Sequence, residues 1–108
     1  MLKFVLKRKV DSIAATARKL ITTQGCKCTV AVYGAYDVDA RLLVVVMQVP
    51  TDAEREKLKT RPGLLQNLKD LPAKEGYPAD ACNDVVLEIQ SQETVDRENE
   101  GNWSYRYG

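Results

Sequence analysis

Leu42-Leu43-Val44-Val45-Val46-Met47-Gln48-Val49-Pro50 is the stretch on which the fold turns. A strand with one wet face alternates polar and apolar residues. This one is apolar at nearly every position from Leu42 to Val49. The pattern predicts a strand covered on both faces, and so a central one. Pro50 has no N–H to donate and ends it.

Upstream, Cys28 to Tyr36 is rich in β-formers and reads as a second strand. Gly34 and Asp37-Val38-Asp39 supply the turn between the two. Further back, Val10, Ile13, Ala14, Ala17, Leu20 and Ile21 recur at helical spacing, with Gly25 just past them. An amphipathic helix over residues 11–24 follows. Residues 2–8 read two ways. Leu2, Phe4 and Leu6 alternate with Lys3, Val5 and Lys7 as in a strand, yet Leu2 and Leu6 also continue the helical stripe.

Downstream, Thr51-Asp52-Ala53-Glu54 is a capping box, so a helix starts at Asp52. Pro62 interrupts it near Arg61. A second helix is expected from Pro62 to Asp70, burying Leu64, Leu65, Leu68 and Leu71. Pro72 to Asn83 reads as a loop, Asp84 to Val95 as strand, Arg97 to Asn102 as a polar turn, and Trp103 to Tyr107 as an aromatic strand. The expected fold is one α+β domain over residues 1–108, of order (β)αββααββ. It would be a two-layer sandwich, with helices on one face of a four- to five-stranded, mainly antiparallel sheet. With residues 2–8 as strand, the beginning resembles the βαββαβ ferredoxin-like order. With them as helix, a long N-terminal helix packs across four strands.

With 44% hydrophobic and 29% charged residues, the 108-residue chain has the means for one core and not two. No apolar run approaches a membrane span. The basic N-terminus lacks the long apolar segment of a secretory signal. Cys26, Cys28 and Cys82 are odd in number, which argues for reduced thiols and a cytoplasmic location. Charge is polarised. Residues 1–30 hold seven basic residues against Asp11, and residues 76–108 hold seven acidic residues against Arg97 and Arg106.

The chain has no histidine, which excludes histidine-dependent triads, histidine bases and Cys/His zinc sites. It also lacks a Walker A loop, a GxGxxG fingerprint and an EF-hand loop. The expectation is therefore no enzyme and no cofactor. Asp37 and Asp39, two apart beside a turn, are the weak candidates for a shared divalent cation. With the strand after them they resemble, in outline, the metal-binding hairpin of restriction-endonuclease-like nucleases, where an Asp precedes a strand ending in Glu-x-Lys. Here that strand ends Gln48-Val49-Pro50, an amide for the carboxylate and a proline for the lysine. The resemblance, over about fifteen residues, implies a degenerate nuclease at most. Cys26 and Cys28, with one residue between them and Cys82 distant, lack the paired spacing of a zinc site and read as packing.

Two stretches could meet a partner. Lys3, Lys7, Arg8 and Lys9 could neutralise phosphates in a nucleic-acid-binding module, without the RNP1 string of an RRM. The C-terminal hairpin sets Glu98 and Glu100 before Trp103, Tyr105 and Tyr107, which would share one face of a terminal strand. That hairpin makes the leading expectation a small non-enzymatic interaction module: an inhibitor, immunity, adaptor or accessory factor of the kind often encoded on phages. Its partner is another protein or a second copy, with no membrane and no small-molecule cofactor.

Overall fold

In a computed structural model, residues 2–108 are described, their side chains from residue 6 onward. The chain opens with helix α1 (Leu2–Thr22), followed by strands β1 (Thr29–Tyr33) and β2 (Val44–Val49). Helices α2 (Asp52–Lys59) and α3 (Leu64–Lys74) lead to strand β3 (Val86–Ser91), then to helices α4 (Gln92–Asn99) and α5 (Trp103–Tyr107). Single 3₁₀ turns precede β2 and β3, at Ala40–Leu42 and Cys82–Asp84.

Among the described residues the sheet has three strands, in the order β1-β2-β3. β2 is central, as its unbroken apolar run requires. It pairs antiparallel with β1, Ala31 opposite Val46, and parallel with β3, Val46 beside Glu88. One face carries Val30, Val32, Val45, Met47, Val49, Leu87 and Ile89, and these join Val10, Ile13, Ala17 and Ile21 of α1 with Leu64, Leu68 and Leu71 of α3 in the core. The other face carries Tyr33, Val44, Val46, Glu88 and Gln90, the residues of opposite parity. α5 lies there, with Tyr107 stacked on Tyr33. Val46 is fully buried. Both faces of β2 are thus covered.

The fold differs from the expected one in three respects. It is α+β, but with a three-stranded mixed sheet and helices on both faces, not a two-layer sandwich on four or five mainly antiparallel strands. Residues 2–8 form no strand, so the ferredoxin-like order falls. The apolar stripe simply continues as helix, burying Val10, Ile13, Ala17 and Ile21. At the C-terminus, strand gives way to helix at Ser91, and no hairpin forms. The cause is local capping. Ser91 accepts a hydrogen bond from the Thr94 N–H at 3.1 Å. Glu100 and Gly101, both left-handed at φ 55° and 77°, end the helix, and Asn102 caps the next.

Smaller differences have equally local reasons. α3 runs through Pro72 to Lys74, because the proline lies in its last turn, where only one helical bond is lost. Leu64, Leu68 and Leu71 are buried as expected, whereas Leu65 is 47% exposed. The Thr51 side chain accepts from the Glu54 N–H at 3.1 Å and starts α2 at Asp52.

Candidate functional site

The acidic and aromatic residues of the expected hairpin lie on two short helices. In α5, Trp103 and Tyr107 are four apart and share one side. Their rings stack with centroids 6.2 Å apart. The Trp103 indole N–H donates to the Gln92 side-chain amide oxygen at 2.8 Å, and the Tyr107 hydroxyl donates to Glu88 at 2.6 Å. Burial and the bond to Glu88 push the Tyr107 phenol up to about 12. Tyr105 points the other way and is 68% exposed. The three rings therefore share no face, since a helical period replaces a strand period. Glu98 pairs with Arg106 at 3.1 Å, and Glu100 ends α4.

The C-terminal ends of the parallel strands β2 and β3 open into α2 and α4, whose N-termini are joined by side-chain hydrogen bonds. The Glu93 carboxylate accepts from the Asp52 N–H at 2.7 Å. The Asp52 carboxylate accepts from the Ser91 hydroxyl, from Thr94 at 2.7 Å and from Arg97 at 3.1 Å. Those hydroxyls, with Arg97, hold its carboxyl down at about 2. Arg55 adds bonds to Gln90 at 2.5 Å and Thr94 at 2.8 Å. Helix N-termini attract anions, and here the chain's own carboxylates take that place.

The other sequence candidates scatter. Asp39 caps the turn before β2, its carboxylate accepting from the Arg41 N–H and side chain at 3.0–3.1 Å and 2.7 Å; Arg41 holds it down at about 2. Asp37 is exposed on the preceding turn. Among the described residues no group of three or more potential ligands could hold a metal. Lys7 pairs with Asp11 at 3.3 Å on the exposed side of α1, Lys9 donates to the Gly76 carbonyl at 2.7 Å, and Arg8 is exposed. The Lys3 side chain lies outside the described residues. Cys28 is buried, which pushes its thiol up to about 11; Cys26 and Cys82 are half-buried, and all three are free thiols.

Two features escaped the sequence reading. One is an open cleft of about 800 Å³ between the end of α1, the start of β1 and the start of α4 and α5. Arg18, Lys27, Gln48, Gln92 and Trp103 are among its lining residues. They come from five separate segments, so no local pattern announces them. The other is the outer edge of β1. Among the described residues β1 pairs with β2 alone, and Thr29-Val30-Ala31-Val32-Tyr33 carries no charge and no proline. Edge strands usually carry such protection. β3, the other edge, holds Glu88, and Arg55 reaches its end at Gln90.

Among the described residues the chain thus forms a three-stranded mixed sheet with an uncharged edge strand and a cleft that Arg18 and Lys27 help to line. No family model, curated protein or solved structure matches the chain.

Proposed function

We propose that the protein is a non-enzymatic interaction module that docks by strand addition at β1, with a second copy of the chain as its partner. The uncharged edge of β1 carries this reading. In an antiparallel pair, alternate backbone N–H and C=O groups point away from the first partner and can bond a second. Antiparallel self-pairing about Ala31 sets Thr29 opposite Tyr33 and Val30 opposite Val32. No like charges meet, and the two sheets continue as one of six strands. Such an isologous contact closes as a dimer. The C-terminal aromatics enter differently from the first expectation. Trp103 and Tyr107 support the sheet from behind, while Tyr105 stays exposed. Three free thiols fit a reducing compartment, and the cytoplasm is the proposed location.

Light scattering after size exclusion tests the proposal. The wild-type chain is expected to be a dimer, and Ala31→Lys a folded monomer, because it would place two lysines face to face on the dyad. A wild-type monomer at high concentration, or a dimer that survives Ala31→Lys, would overturn it.

A further inference from the structure

We propose that the cleft binds a nucleoside phosphate, with the base against Trp103 and the phosphate on Arg18 and Lys27. The lining holds these two cations and no carboxylate. Its field therefore favours an anion. Arg18 donates through Nε to the Cys28 carbonyl at 3.1 Å. That bond anchors the guanidinium at the cleft, so less freedom is lost when its remaining N–H groups meet a phosphate. Lys27 sits on the exposed loop between α1 and β1 and can follow the ligand. The Cys28 thiol, raised to about 11 by burial, stays neutral and opposes no anion.

A bare anion would leave most of the cleft unused. Its volume of about 800 Å³ is that of a site for a larger molecule. The half-buried Trp103 supplies what a base needs, a flat π surface. Its ring is set in place by the hydrogen bond to Gln92 and by the Tyr107 ring stacked against it. Gln48 accepts from the Thr29 hydroxyl at 3.0 Å, which presents its amide N–H groups as donors to the edge of a base. Stacking and charge together select a ring joined to a phosphate over either part alone. The ring can belong to a free nucleotide or to a nucleotide within a single strand.

Trp103 is the only tryptophan of the chain, so its fluorescence reports on the cleft directly. The probe is adenosine monophosphate, titrated beside adenosine, inorganic phosphate and a short single-stranded oligonucleotide. Saturable quenching is expected with the monophosphate, at an affinity at least about tenfold above that of adenosine or phosphate, and it should weaken as salt is raised. Lys27→Gln, at an exposed position, should weaken it several-fold with an unchanged circular dichroism spectrum. Arg18→Gln should weaken it about tenfold or more. Tighter binding of the oligonucleotide than of the monophosphate assigns the single strand as the source. The proposal is overturned if neither nucleotide probe quenches saturably. It is equally overturned if adenosine or phosphate alone does as well, or if Lys27→Gln and salt leave the affinity unchanged.

Discussion

Gly34 shows how much one residue can decide. It leaves β1 at φ +91°, a left-handed conformation, and a β-carbon there would collide with the Leu42 carbonyl oxygen. Gly63, at φ +77°, has open space around the same position. The two alanine variants therefore separate strain from collision. Gly63→Ala should cost about 1–2 kcal/mol from backbone strain alone, and Gly34→Ala more than about 2 kcal/mol, as backbone must shift as well. Urea unfolding of both measures the difference; equal costs would show that the Gly34 turn relaxes freely. The sequence marks Gly34 as a turn residue. That it lies against Leu42, eight residues on, is a fact of the fold.

At the scale of elements, Tyr107 links α5 to both outer strands. It stacks on Tyr33 of β1 with centroids 5.4 Å apart and donates to Glu88 of β3. Tyr107→Phe keeps the ring and removes the bond, at an expected cost of about 1–2 kcal/mol near neutral pH. The phenol is raised to about 12, so the neutral form is the one the fold favours. Its contribution is complete below the ordinary tyrosine value of about 10 and is lost as pH rises through about 12. Tyr77, raised by burial to about 12 and donating to the Ala40 carbonyl at 2.5 Å, behaves alike. Tyr107→Phe should thus lessen, not abolish, the alkaline fall in stability measured by denaturant titration. The expected Asp84 to Val95 strand shows why helical ends are hard to read. Its first half is strand, and the change comes at a polar Ser-Gln-Glu-Thr stretch whose cap acts only when Ser91 reaches the Thr94 N–H.

Across the whole molecule, Asp52 joins α2 to the β3–α4 corner, and so ties the two ends of the parallel crossover together. Its carboxyl is held at about 2, below the ordinary value near 3.9. The stability it contributes is present above that ordinary value and is lost as pH falls through about 2. Asp39, also held at about 2, adds to the same acid limb. Asp52→Asn should flatten that limb in acid denaturation, and a curve parallel to wild type would deny the link. By itself, the sequence determined what depends on near neighbours: the helical stripe to Ile21, the capped start at Asp52, and the burial of β2 on both faces. These rest on periodicity and on hydrogen bonds within a turn of chain. Only the tertiary structure decided the number of strands, the parallel pairing of β2 with β3, the placing of Trp103 and Tyr107 behind the sheet, and the cleft. Each of these brings together residues from segments far apart in the chain, where no local spacing records which side chain will meet which.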